Sequence, residues 1–237
     1  PTRELALQVH DELVKLTKYE KLNIVAVYGG APIHHQARDL KRANIVVGTP
    51  GRVLDHIRRG NLPLDKVEVF VLDEADEMLD IGFKEELNKI IEAMPEERQS
   101  LLFSATLSED VKKLASKMLN NPIEVLVSSG LTTATNVKQQ AVVCEEEDKL
   151  TILTRLLQIN KPQSAIIFGR TKRRADELAK ALLKAGFQAK ALHGDLTQKE
   201  RSNVMDGFKS GLFKILVATD VAARGIHVDG IEVVYNF

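Results

Sequence analysis

The 237-residue chain is long enough for one large domain or two modest ones, and 44% hydrophobic with 28% charged residues describes a core under a polar surface. Its 33 basic and 33 acidic side chains cancel, which disfavours a nucleic-acid binder that works by bulk charge alone. No apolar run approaches the roughly 18 residues of a membrane span, "PTRELALQ" does not read as a secretory signal, and a lone cysteine, Cys144, excludes intramolecular disulfides and predicts a reducing, cytoplasmic setting.

The chain opens on a helical pattern, with Leu5, Val9, Leu13 and Leu16 recurring at three- and four-residue steps. Short branched runs then predict strands at "NIVAVYGG", "ANIVVGTP", "VEVFVLDE", "QSLLFSAT" and "IEVLVS". Ser128 to Lys138 is the longest run of Ser, Thr, Gly and Asn and reads as a linker. Cys144, in "QQAVVCEE", is expected to be a small buried residue. Four more strands follow at "QSAIIFGR", "FQAKALHG", "FKILVATD" and "IEVVYNF". Between them Leu178, Leu182 and Ala185 mark a helix, and Thr197 with Glu200 forms a capping-box pattern at the start of another. Strands this apolar predict parallel sheets covered on both faces, so the fold class is α/β. The basic clusters "LKRAN", "HIRRG" and "GRTKRRAD" read first as solvated helix faces.

The two halves echo each other. A Thr opens a helix at Thr2 and again at Thr171; a strand ends in Gly at Gly30 and at Gly194; a strand ends in Thr at Thr49 and at Thr219. Three features in one order at nearly one spacing predict a tandem pair of similar domains. Where strands give way to helices, free backbone N–H groups and the positive end of the helix dipole favour phosphate oxygens. Thr2, Gly30, Thr49 and Gly51 are thus candidates to grip one stretch of sugar-phosphate backbone, and Thr171, Gly194 and Thr219 the next, positioning a strand without reading its bases. "VFVLDEAD" sets an apolar strand against Asp73, Glu74 and Asp76, and carboxylates gathered at a strand's carboxyl end can hold Mg²⁺ and steer water.

"DEAD" after "VFVL", followed by "LLFSATL", together with "PTRELALQ", the "GG" at Gly29, "TPGR", "HGDLTQKER" and "VATDVAARGI" in that order, resembles the DEAD-box family of ATP-dependent RNA helicases over nearly the whole chain. The resemblance implies two tandem RecA-like domains, parallel sheets flanked by helices and both incomplete. They are a first, ATP-binding domain at 1–129, a linker at 130–137 and a second, helicase C-terminal domain at 138–237. It implies ATP and Mg²⁺ as cofactors, with Asp73 holding the metal through water, Glu74 orienting or deprotonating the attacking water, and Asp76 linking the nucleotide site to Ser104 and Thr106. Gly225 joins Asp73 and Glu74 as a nucleotide-binding residue. The implied partner is RNA, gripped through backbone and 2′-hydroxyls by Arg3, Gly29, Gly30, Thr49, Gly51 and Arg52 in the first domain. In the second the implied set is Arg170, Thr171, His193, Gly194, Gln198, Arg201, Thr219 and Asp220. Aromatics at 5% fit backbone grip better than base stacking.

The chain also departs from the family pattern. It holds no Gly-Lys-Ser or Gly-Lys-Thr phosphate loop, which in the family precedes "PTREL", and no "HRIGRTGR" segment, which in the family comes later. The expectation is a piece cut at both ends that does not hydrolyse ATP by itself. His227 stands where many members carry an Asp that contacts the ribose. Two other readings stand beside the enzyme: an RNA clamp or repressor with a vestigial nucleotide site, and a DNA translocase of the same superfamily.

Overall fold

The computed structural model describes residues 1–127, 137–223 and 228–237, which divide into two compact units, Pro1–Ile123 and Glu124–Phe237. The first unit alternates helices and strands: α1 (Arg3–Leu16), β1 (Ile24–Val27), α2 (Ile33–Leu40), β2 (Ile45–Gly48), α3 (Pro50–Arg58), β3 (Val69–Leu72), α4 (Ala75–Ile81), α5 (Lys84–Glu92), β4 (Gln99–Leu102) and α6 (Glu109–Met118). β1 pairs with β2 and β3 with β4, both parallel, so that Val27 meets Gly48 and Leu72 meets Leu102 at the carboxyl ends. Leu72, Met78, Leu87, Ile91, Leu114 and Met118 form a core between β3 and the helices that follow it.

Three expectations fail in this unit. Coverage of both sheet faces does not hold, because Val69 and Val71 of β3 are 54% and 51% exposed. The α1 stripe does not bury its length: Ala6 is its buried residue and Leu16, at its C-terminal end, is 79% exposed. The apolar spacing of "IEVLVS" does not make a strand over its described residues, 123–127. Residues 123–127, at the junction of the units, carry none, and a branched run without a neighbouring strand to share its ladder has nowhere to place its N–H and C=O groups.

The second unit holds a short 3₁₀ turn (Glu146–Asp148), then α7 (Lys149–Asn160), β5 (Ala165–Phe168), α8 (Lys172–Lys184), β6 (Ala189–Leu192), α9 (Gln198–Lys209), β7 (Ile215–Ala218), α10 (Asp220–Ala223) and β8 (Val233–Asn236). These four strands form one parallel sheet in the order β6-β7-β5-β8. Here both faces are covered. Ile215 and Val217 join one core with Leu153, Leu157, Ile167, Leu178 and Leu182, while Leu216 and Ala218 join another with Leu192, Met205 and Phe208. All four residues of β7 are buried as a result. The capping box at the start of α9 forms as expected: Glu200 N–H donates to Thr197 Oγ1, and the Glu200 carboxylate accepts from Thr197 N–H. Ala185 is an exposed C-cap rather than part of the buried stripe, and Cys144 is half-buried, among the mostly exposed residues 137–145. Most of the expected linker, together with Gly225 and His227, lies outside the described residues.

Candidate functional site

In parallel α/β units the carboxyl ends of the strands are the ends that face ligands, because the loops and helix N-termini there present unpaired N–H groups. The sequence candidates gather at those ends. Thr2 caps α1, its Oγ1 accepting from Leu5 N–H at 3.2 Å, and Arg3 projects over the turn that follows β1. Gly30 in that turn has φ +84°, a conformation that favours glycine, and a side chain there would have to displace the guanidinium of Arg3, 2.7 Å away at Nη1. Next to it, β2 ends in Gly48, where a methyl group would overlap Val53 and Val27; only glycine lets α3 leave the strand this closely. Thr49 is the buried N-cap of α3, its hydroxyl not used by the helix, and nothing lies within 4 Å of where a Gly51 side chain would be. Arg52 follows on the same helix start. Register between β1 and β2 brings Gly29, Gly30, Thr49, Gly51 and Arg52 to one edge.

β3 and β4 bring the carboxylates together. Asp73 is exposed, and its Oδ1 accepts Glu74 N–H at 2.9 Å. Glu74 adopts the left-handed conformation, φ 52° and ψ 51°, an uncommon state for a residue with a side chain. Burial raises the Glu74 carboxyl above its ordinary range; the negative fields of Asp73, Glu77 and Asp76 push the same way, against the ammonium of Pro1. Asp76 behaves oppositely. Burial pushes its pKa up, but hydrogen bonds from Thr106, Ser104 and the Glu77 N–H outweigh it and hold the carboxyl below the usual range. The contacts are specific: Asp76 Oδ2 accepts both Thr106 N–H and Thr106 Oγ1–H at 2.9 Å, Asp76 N–H donates to Ser104 Oγ at 3.3 Å, and Ser104 Oγ–H donates to Thr106 O at 2.7 Å. Two loops, after β3 and after β4, are thereby tied through one carboxylate.

The second unit repeats the threonine and glycine pattern of the edge. Thr171 caps α8 after β5, accepting from Arg174 N–H at 3.1 Å, with Arg170 exposed beside it. His193 and Gly194 follow β6. His193 is 4% exposed, with Nε2 3.0 Å from Asp176 Oδ1, although the angles there are not those of a hydrogen bond. Lys172 bends over Gly194 to bond Asp195 Oδ1 at 2.6 Å. Gln198 opens α9, and one turn on the buried Arg201 sends Nη1 to His193 O at 3.4 Å. Thr219 and Asp220 follow β7; Thr219 is buried and Asp220 exposed.

A side-chain network missed by the motif reading lies behind the first edge, where Gln36 on α2 bonds Arg52 and the fully buried His56. Helical spacing held the signal, since Gln36 shares a face with buried Leu40, and Arg52 with His56.

Residues 1–114 match the model of the DEAD/DEAH box helicase family, and residues 148–237 that of the helicase conserved C-terminal domain. The chain is 49% identical over its whole length to the DEAD-box ATP-dependent RNA helicase CshA of Geobacillus kaustophilus, of which it covers 51%, so it spans about half the length of the curated relatives it matches. Among solved structures it is similar to Dbp5 of S. cerevisiae bound to RNA and ADP BeF3 (TM-score 0.87, 33% identity, 99% of this chain and 60% of that one). It is similar also to Mss116p bound to ssRNA and AMP-PNP (TM-score 0.84, 29% identity, 100% of this chain and 52% of that one).

Proposed function

Because the chain belongs to the DEAD-box family of helicases, with units of RecA-like fold, we propose that the protein is an ATP-dependent RNA helicase. It couples RNA-stimulated ATP hydrolysis to local separation of short RNA duplexes. The observation that carries this reading is the turn after β3, where three carboxylates divide into distinct states. Asp73 is exposed and accepts one backbone N–H; Glu74 is pushed toward holding a proton; Asp76 is held ionised by Ser104 and Thr106.

Each state suits a task. Glu74, with its raised pKa, orients the attacking water and accepts its proton, since a base serves best when its pKa approaches the working pH. Asp76 connects this turn to the loop after β4, so a shift in one loop moves the other. Asp73 fits Mg²⁺, an ion that keeps most of its waters and asks one or two carboxylates of the protein. Its exposed position, with one N–H accepted on Oδ1, suits a water-mediated hold. When bound, Mg²⁺ supplies positive charge against the phosphate oxygens. On the RNA side, Gly51 and Gly194 offer backbone N–H groups and Thr49, Thr171 and Thr219 offer hydroxyls to phosphates, and Arg3, Arg52, Arg170 and Arg201 add charge. Discrimination of RNA from DNA then falls to the 2′-hydroxyl. The sparing use of cysteine supports a cytoplasmic setting.

Glu74→Gln in the whole protein is the direct test. RNA-stimulated phosphate release is expected to fall while ATP-dependent RNA binding persists; hydrolysis at the wild-type rate would sink the assignment.

A further inference from the structure

The loops that follow β1 and β2 are spanned by side chains that bond one another and the loop carbonyls. Gln36 is 7% exposed; its Nε2 donates to Tyr28 O at 3.1 Å, immediately before Gly29. Its Oε1 accepts from Arg52 Nη1 at 2.9 Å and from His56 Nε2 at 3.0 Å. Arg52 Nη1 donates also to Ala31 O at 2.9 Å, just past Gly30. His56 has no exposed surface, and its Nδ1 lies 3.3 Å from Asn61 Nδ2.

Chemistry fixes every hydrogen in this chain of bonds. A guanidinium only donates, so the Gln36 oxygen faces Arg52 and its nitrogen faces the Tyr28 carbonyl. The His56 Nε2 aimed at that same oxygen must carry the ring proton, leaving the Nδ1 lone pair for the Asn61 amide. No member can be replaced by an apolar side chain without orphaning a buried partner.

The network acts where the strands stop helping. Pairing of β1 with β2 ends at Val27 and Gly48, and Gly29, Gly30 and Gly51 have no side chains with which to pack. One amide, reaching the carbonyl before Gly29 on one side and Arg52 on the other, supplies the missing spacer. We infer that Gln36 and His56 are positioning residues for RNA. They set the separation of the Gly29–Gly30 turn from the Thr49–Arg52 helix start, so that the two meet neighbouring phosphates of one strand, and they do not touch the RNA. This rests on the RNA-binding reading above.

The test uses the whole protein, a labelled single-stranded RNA oligonucleotide and a non-hydrolysable ATP analogue, with thermal melting in parallel. Gln36→Met removes all three side-chain bonds at similar volume. Below its melting temperature it is expected to bind RNA about tenfold more weakly, what one or two modest hydrogen bonds to the strand are worth. The plot of log affinity against log salt should also flatten by about 0.7 for each phosphate the variant no longer neutralises. Affinity for the nucleotide alone stays at the wild-type value. Gln36→Glu keeps an acceptor for Arg52 and His56 but cannot donate to Tyr28. A smaller loss is expected, and this variant carries the test if Gln36→Met does not fold. His56→Leu, which removes the donor to Gln36, should weaken RNA binding in the same way, and His56→Gln, whose amide can still donate to Gln36, should restore part of it. A folded Gln36 variant with wild-type RNA affinity and salt slope overturns the inference, whatever its melting temperature, because a merely structural role moves neither. If the wild-type protein itself shows no nucleotide-dependent RNA binding, the functional reading fails first and takes this inference with it.

Discussion

The two units share one local grammar and differ in how they support it. In the second, a continuous four-stranded sheet buries its central strand on both faces, and the residues at its carboxyl edge stand on that sheet. In the first, two separate strand pairs leave Val69 and Val71 open, and the edge loops are tied instead by side chains: Gln36 behind one pair, Asp76 across the other. A threonine cap, a glycine after a strand and a threonine at a strand end need only their own turn to form. The sheet beneath them can therefore differ without erasing the motif. The tied trio of Asp73, Glu74 and Asp76 stands on the unit that uses side chains.

Experiments that sharpen this contrast run from large effects to small. Glu74→Gln should lower hydrolysis by about 10²- to 10⁴-fold, the usual worth of a general base; no residue of the second unit's edge should match it in an assay at saturating RNA. The same variant should melt higher at neutral pH. A carboxyl whose pKa is raised on folding binds its proton more readily in the native state, so stability falls as pH climbs from the unfolded value of 4.5 through the raised one, and glutamine escapes that loss.

Core truncations come next. Ile167→Ala, on β5 with no exposed surface, should cost about 2 to 5 kcal/mol in urea unfolding, whereas Val71→Ala on β3 should change stability by about 0.5 kcal/mol or less. Equal costs would show that the open face of β3 is covered in solution. The two caps should be alike: Thr2→Ala and Thr171→Ala each remove one N-cap bond, for about 1 kcal/mol apiece by thermal melting.

The smallest effect is in pH. Burial, aided by Arg52, holds the His56 pKa below its ordinary 6.5. The unfolded chain then binds the proton more readily, so the stability of the first unit is complete above pH 6.5 and declines as pH falls toward the depressed value. In His56→Gln the decline from this source should vanish.

Much of the scaffold is readable from residue order alone. The short apolar runs mark each of the eight strands among the described residues, and the Thr197–Glu200 box is visible as a spacing. The turn chemistry comes into view through resemblance, which places Asp76 with Ser104 and Thr106 before any distance is known. What escapes has a common cause: periodicity shows which face is apolar and does not show whether a neighbour covers it. Leu16, the 123–127 run and Val71 all carry core-like patterns and stand exposed. His56 and Gln36 escape for the opposite reason, since a polar side chain in a helix reads as surface until its buried partners, 16 and 20 residues apart, are found.

The left-handed backbone at Glu74 has a consequence for how this position can vary. A conformation that disfavours side chains by about 1 to 2 kcal/mol admits glycine freely, asparagine and aspartate with ease, and branched residues hardly at all. Random replacement there is filtered twice, once by geometry and once by chemistry. The replacements that fold best, glycine first among them, are those that discard the long acidic arm. Libraries screened for robustness alone would drift toward a sturdy and silent protein.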